Sequence, residues 1–408
     1  MSLRLPLSGL RVLDLSRVLA GPWCTQLLGD AGADVIKLEP LTGDVTRSWG
    51  PPFIGSGAQQ LSTYFISANR NKRSLALDLR QPAGVAVARA LSARADVVVQ
   101  NDRVGSLAAL GLGAAALCAA NPRLIYASIS GWGSSGPRAL EPAYDLGIVA
   151  ASGLMGVTGP EGGIPAKPGV ALTDIATGLY LHGAILTALL ARASSGLGAQ
   201  VDTSLLEAGI ANLANVGTSA LHGGSPRARG SAHESIVPYQ AFSDAEGAFF
   251  IVAATSDGQW RALCERVGAA ELAADSRLAS NAGRVAHREA LCSALQALLS
   301  QRSRAHWLQA LAGAVTAAPV NTVAEALAEP QVAARRLVRE VHYPALDETL
   351  RLLAHPVSYA GGGIAQPGEQ MRPPPLLGQH TLECLREAGL GEEEAEALIV
   401  AGVARASA

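Results

Sequence analysis

Leu10-Arg-Val-Leu-Asp-Leu-Ser-Arg-Val-Leu-Ala-Gly-Pro-Trp-Cys-Thr-Gln-Leu-Leu-Gly-Asp-Ala-Gly-Ala-Asp-Val-Ile-Lys-Leu38 is the stretch that decides the fold. Leu10–Leu15 alternates with an apolar bias and reads as a strand. Gly21-Pro22 opens a helix over Trp23–Ala31, and Asp34–Leu38 is a second strand. Strand, helix and strand in so short a span predict a βαβ unit. The pattern then repeats as strand Ser74–Leu79, a helix from Pro82 to Ala95, strand Asp96–Gln100, an Ala-rich helical stretch and strand Arg123–Ser128. That alternation predicts an α/β fold with a mostly parallel sheet and helices on both faces.

The strand-to-helix turn excludes one common use of such a sheet. Ser16-Arg-Val-Leu-Ala-Gly-Pro22 has one glycine where a dinucleotide fingerprint needs three. The 408 residues carry 32 Lys+Arg against 34 Asp+Glu, without the basic stripe of a nucleic-acid binder. Apolar runs are broken by Gly, His or Thr before they reach membrane-spanning length, so no membrane span is expected. The N-terminus has neither a signal-peptide core nor a transit helix, which makes the cytoplasm the expected location. Five scattered cysteines without C-x-x-C and eight dispersed histidines predict no disulfide framework and no metal site.

Further on, Ala199–Thr203 reads as a strand and Leu205–Leu221 as a helix. Gly223–Gly230 is a linker, and Val237–Ser243 with Ala248–Ala253 forms a hairpin before a run of helices. Strand-like pieces at Val338–His342 and Thr349–Leu353, a Pro-rich segment Arg372–Thr381 and a last helix complete the chain. The expected division is a large α/β domain over 1–222, a smaller α+β domain over 223–329, and a C-terminal part, 330–408, that rejoins the first domain or crosses to a partner chain.

Asp174 is the one formal charge between Lys167 and Arg192, at the junction of a Gly/Pro loop and a long apolar helix. Two readings stand open there. Asp is a favoured helix N-cap. A partly desolvated carboxylate, ionised at neutral pH, is also a nucleophile that needs no partner base. Asn69-Arg-Asn-Lys-Arg73 groups cationic and amide donors suited to phosphates. Cys24, on the first helix, is expected in the core.

Several motifs together resemble the class III CoA-transferases, the CaiB/BaiF family. They are Ser16–Pro22, Gly29–Lys37, Trp49-Gly-Pro-Pro-Phe53, Asn69–Ser74, Tyr144-Asp145, Pro168–Asp174, Ala232–Gln240 and Arg372–Thr381, spread over nearly the whole length. Trp49–Phe53 and Arg372–Thr381 match a succinyl-CoA-dependent dicarboxylate subgroup. The resemblance implies a Rossmann-like large domain built from both termini and an interlocked homodimer. It implies a coenzyme A thioester as substrate, with no permanently bound cofactor, and a free dicarboxylate as its partner. It makes Asp174 the catalytic nucleophile, and it puts Arg17, Val18, Leu19, Asn69, Arg70, Asn71, Lys72, Arg73, Asn101 and Arg103 beside CoA. One departure is Asn101-Asp-Arg-Val-Gly105, where Asp102 stands in place of the aromatic that relatives carry.

The function so implied is movement of CoA from a dicarboxylyl-CoA, such as succinyl-CoA, to itaconate, glutarate or hydroxymethylglutarate through an aspartyl-CoA thioester. A distal carboxylate entering a partly desolvated site needs a cation, and Arg17 and Arg47 are the candidates. Tyr144 and His233 are further candidate substrate contacts. An α-methylacyl-CoA racemase of the same fold is the enzymatic alternative. It needs a second acid/base, a His in racemases, where this chain has Tyr144 before Asp145. The alternative from another class is an inactive acyl-CoA-binding protein, against which the intact surroundings of Asp174 argue.

Overall fold

The structure is a computed structural model and describes residues 4–57, 60–360 and 364–407; Met1–Leu3 of the N-terminal stretch read above lie outside them. Fourteen strands are seen among the described residues. They are β1 Arg11–Asp14, β2 Asp34–Glu39, β3 Phe53–Ile54, β4 Leu61–Ser62, β5 Lys72–Leu77, β6 Val97–Gln100, β7 Ile125–Ser130, β8 Ala199–Ser204, β9 Tyr239–Ser243, β10 Phe249–Ala253, β11 Thr316–Pro319, β12 Val338–Tyr343, β13 Glu348–Leu353 and β14 Ala404–Arg405. The first seven helices are α1 Ala20–Asp30, α2 Thr63–Ala68, α3 Pro82–Ala93, α4 Ser106–Ala109, α5 Ala114–Ala120, α6 Asp145–Ala151 and α7 Leu172–Ser195.

Seven strands form the main sheet in the order β14-β5-β2-β1-β6-β7-β8, all parallel except β14, which runs antiparallel to β5. Side chains alternate across it, as strand geometry requires. Val12, Val97 and Val99 join Cys24 and Leu28 of α1 and Leu181 and Ile185 of α7 on one face. Leu13 and Val98 join Val87 and Leu91 of α3 and the helices Thr381–Glu387 and Glu392–Val400 near the C-terminus on the other. From β1 the chain moves outward to β2 and β5, then returns to place β6, β7 and β8 on the opposite side. The switch point therefore lies between β1 and β6, where open α/β sheets bind their ligands beyond the carboxyl ends of the strands.

The chain divides into two compact units. The larger comprises 1–153, 169–214 and 331–408, and the smaller comprises 154–168 and 215–330. The expected boundary at 222/223 thus moves to 214/215, and 154–168, which the sequence reading left in the large domain, belongs to the small unit. The expected Leu205–Leu221 helix is two helices, Leu205–Ala211 and Ala214–Leu221, and Ala214 has a positive φ of 44°. The small unit holds the antiparallel sheet β11-β10-β9 over a core that includes Trp260, Phe242, Phe250 and Trp307. Its hairpin matches the expectation, whereas β11 was not read. In the large unit the β12–β13 hairpin packs with Leu61 and Phe65 around Tyr343.

Candidate active site

A cavity of about 1350 Å³ opens at the switch point of the sheet. Its wall is made by the loops that leave four neighbouring strands. These are Arg17–Ala20 after β1, Pro40–Ser48 residues after β2, Asn101–Val104 after β6 and Ser130–Gly131 at the end of β7, joined by Ala139–Asp145 and by Asp174. The volume exceeds that of an ordinary small-molecule pocket and suits a long ligand.

Asp174 is not the N-cap of α7. The cap residue is Ala171, which has no capping side chain, and Asp174 is the third residue of the first turn. The capping acid comes from another element. Asp145, the first residue of α6, accepts hydrogen bonds from the Thr173 N–H at 2.9 Å and the Thr173 hydroxyl at 2.5 Å. Asp174 is thereby left half-buried, with no hydrogen-bond partner for its carboxylate among the described residues. Burial first, and the nearby Asp145 charge second, push its carboxyl up to about 7. The expectation of full ionisation at neutral pH is corrected accordingly. A desolvated, unbonded carboxylate at a helix N-terminus is a group held ready to react with an electrophile.

Behind the cavity lies a network of fully buried charges. Lys72 donates to Asp14 at 3.0 Å, to the Pro22 carbonyl and to the Asn69 amide oxygen, both at 2.9 Å. Lys37 pairs with Asp44 at 2.9 Å and donates to the Ser16 carbonyl at 2.8 Å. Asp44 also accepts from the Thr46 N–H at 3.0 Å and from the Val18 N–H at 3.2 Å. Burial opposes ionisation of both lysines. Asp44 and Asp14 outweigh it at Lys37, whereas Lys72 is lowered to about 8 and remains a cation at neutral pH. The network fixes a strained rim: Val18 has a φ of 68°, a sparsely populated region for a β-branched residue. On its other side the rim is clamped by Asn101. The Asn101 side chain accepts from the Arg17 N–H and donates to the Arg17 carbonyl, each at 2.8 Å.

The sequence candidates therefore separate. Arg17, Val18, Leu19, Arg47, Asn101, Arg103, Tyr144 and Asp174 all line the cavity. Asn69, Arg70, Asn71, Lys72 and Arg73 do not, and the reading of this run as a phosphate contact is corrected by its burial. Arg70 and Asn71 bond Asp30, while Arg73 bonds Asp34, Glu383 and Glu387. His233 belongs to the small unit. There its Nδ1 accepts from the Ser235 N–H at 3.1 Å and its ring lies 5.2 Å from Tyr239, so its observed role is local. Cys24 is buried in the core, as expected.

The arginines of the wall differ in availability. Arg47 makes two bonds of 2.7 Å to Glu39, donates to the Pro375 carbonyl and lies 3.7 Å over the Phe65 ring. Arg17 is half-exposed and bonds Asp102 at 2.9 Å. Arg103 is exposed and has no side-chain partner among the described residues. No group of His, Cys, Asp or Glu among the described residues has a metal-binding arrangement.

The model of CoA-transferase family III matches residues 7–381. The succinate–glutarate CoA-transferase of Agrobacterium fabrum is 42% identical over 393 residues, covering 94% of this chain and 95% of that protein. The succinyl-CoA:glutarate CoA-transferase of Homo sapiens is 41% identical over 388 residues, covering 94% of this chain and 86% of that one. The crystal structure of a CAIB/BAIF family protein from Brucella suis is 40% identical with a TM-score of 0.82, covering 94% of this chain and all (100%) of that chain. With sequence likeness running nearly end to end and a solved relative of the same fold, the chain belongs to CoA-transferase family III and is a class III CoA-transferase.

Proposed function

We propose that the enzyme moves CoA from succinyl-CoA to a second dicarboxylate of the glutarate, itaconate or hydroxymethylglutarate type, through a thioester on Asp174. The observation that carries this reading is the Asp174 carboxylate, half-buried in the cavity wall and without a hydrogen-bond partner among the described residues. Its oxygen attacks the thioester carbonyl, giving a mixed anhydride and CoA thiolate. The thiolate attacks the aspartyl carbonyl of that anhydride, releasing succinate and leaving aspartyl-CoA. The acceptor carboxylate then attacks the aspartyl thioester, and the expelled thiolate takes the acceptor acyl group, which restores Asp174. Each step exchanges one acyl bond for another and needs no proton-transfer base.

The substrate choice draws on relatives whose names specify succinate or succinyl-CoA with glutarate. Proton transfer at Cα, as in a racemase, lacks the histidine that racemases use as their second acid/base. The cavity wall holds no histidine among the described residues, and Tyr144 precedes Asp145. Asp174→Ala is expected to keep its fold and lose all but a few per cent of turnover. Intact-mass measurement after exposure to succinyl-CoA should show a CoA adduct on the wild type and none on the variant. Turnover by Asp174→Ala near the wild-type rate overturns the proposal.

We also propose a homodimer. Leu179, Tyr180 and Leu190 of α7 are half or more exposed in the single chain; contrary to the expectation from its interrupting Gly, His and Thr residues, this helix is, by length and composition alone, long and apolar enough to cross a membrane. A second copy that covers this face would remove it from water. Light scattering is expected to give about twice the chain mass of 41.7 kDa; a monomer at micromolar concentration overturns it.

A further inference from the structure

We propose that Asp102 is an exchangeable counter-ion: it occupies Arg17 in the free enzyme and yields it to an oxyanion of the ligand that fills the cavity. The proposal rests on reading the cavity as the CoA-ester site. Three arginines line that cavity, Arg17, Arg47 and Arg103, against five acids, Asp44, Asp102, Glu141, Asp145 and Asp174. An acyl-CoA brings several negative phosphates into this wall, and a dicarboxylyl group adds a distal carboxylate. Cations have to be found for them.

Arg47 is committed to Glu39, Pro375 and Phe65. Asp44 is neutralised by Lys37, and Glu141 pairs with Arg138 at 2.8 Å. Arg103 has no side-chain partner among the described residues but is single. Arg17 is the one cation in the wall that can change partner at small cost. Its side chain is 48% exposed, and the bond to Asp102 is its only side-chain hydrogen bond among the described residues. Its backbone is clamped by Asn101 on both sides, so the side chain can swing without moving the strained Val18. Asp102 is a weak holder. Its carboxylate is 22% exposed, burial penalises its anion more than Arg17 rewards it, and no second cation bonds it among the described residues. A guanidinium shared in this way is taken by a ligand oxyanion that binds through two N–H groups. Until then Asp102 keeps Arg17 from pairing with other acids of the wall.

The phosphate and the distal carboxylate share this chemistry, and equilibrium binding separates them. Titration calorimetry of free CoA with Asp102→Ser is expected to show binding roughly two- to fivefold tighter than wild type, which is the release of an exposed ion pair expressed as affinity. Asp102→Asn, the near-isosteric control, should move in the same direction by less. Arg17→Ala should weaken CoA, and adding Asp102→Ser to Arg17→Ala should restore nothing, because the counter-ion then has nothing to release. A gain seen with CoA puts a phosphate at Arg17. A gain seen with succinate but not with butyrate or CoA puts the distal carboxylate there. Unchanged or weaker binding of both CoA and succinate by both Asp102 variants overturns the exchange, as does a gain that persists without Arg17. A wild-type enzyme that binds no CoA would instead sink the reading of the cavity itself.

Discussion

Asp174 pairs a simple chemical demand with an awkward setting. A nucleophilic carboxylate has to be an anion, yet burial and the Asp145 charge raise its pKa to about 7, so that near neutrality a large share of the free enzyme holds it protonated. The sign is fixed by the direction of that shift: the reactive anion is lost as pH falls through about 7. The kcat/KM for the CoA donor is therefore expected to decline below that pH, since this ratio reports the free enzyme. Asp145→Asn removes the like charge and keeps an oxygen that accepts from the Thr173 N–H. It should shift the acidic limb of the profile downward, toward the ordinary carboxylate value. A limb that stays in place would show that Asp145 does not set it. Asp174 was legible as the lone acid in an apolar run, but Asp145 was not. Its role as the cap of α7 depends on a contact between residues 28 apart in sequence, which no local pattern encodes.

At the scale of elements, the relative placement of α1 and α7 decides whether Asp174 faces the Arg17–Ala20 rim. The two helices meet at Gly178, one turn after Asp174. A Cβ built there would lie 2.6 Å from the Ala20 carbonyl oxygen and 3.2 Å from Trp23 Cδ1. Glycine inside a helix costs about 1 kcal/mol relative to alanine, and here it permits the close approach of a backbone that lines the cavity. Gly178→Ala is expected to lower stability by about 1 to 2 kcal/mol net, because overpacking outweighs the better helix propensity. It should also raise the KM for the CoA donor by shifting the rim. A thermal denaturation scan and donor kinetics test both, and an unchanged or higher Tm would mean that the helices have room to part. The βαβ alternation of the first half was readable because its buried strands are short apolar-biased segments separated by helix-opening Gly and Pro. The two-residue β14 carries no such signal and is defined by its partner alone.

For the molecule as a whole, the decisive feature is that the large unit closes only when the C-terminal segment returns to it. β14 adds to the outer edge of β5, the Asn71 side chain accepts from the Arg372 N–H at 2.7 Å, and the Ser74 hydroxyl accepts from the Gly378 N–H at 2.9 Å. Arg73 is the principal tie. Its buried guanidinium bonds Asp34 at 2.6 and 2.9 Å, Glu383 at 2.9 Å and Glu387 at 2.8 Å, joining the β2–β5 ladder to the helix Thr381–Glu387. The basic run Asn69–Arg73 was misread for a physical reason. A cluster of charge in sequence says nothing about whether its partners are a ligand or carboxylates more than 300 residues away. The two readings predict different behaviour of Arg73→Ala. As a structural tie, its loss unpairs three carboxylates. These are 37%, 55% and 29% exposed and can rehydrate, so the cost should fall to about 1 to 3 kcal/mol, between the values for surface and buried pairs. That loss should appear as a lower urea midpoint, while CoA binding at a temperature where the variant is folded stays within about twofold of wild type, a difference of less than about 0.5 kcal/mol. A phosphate contact would give the reverse, an unchanged midpoint with weakened CoA binding, and that result would return Arg73 to the ligand site.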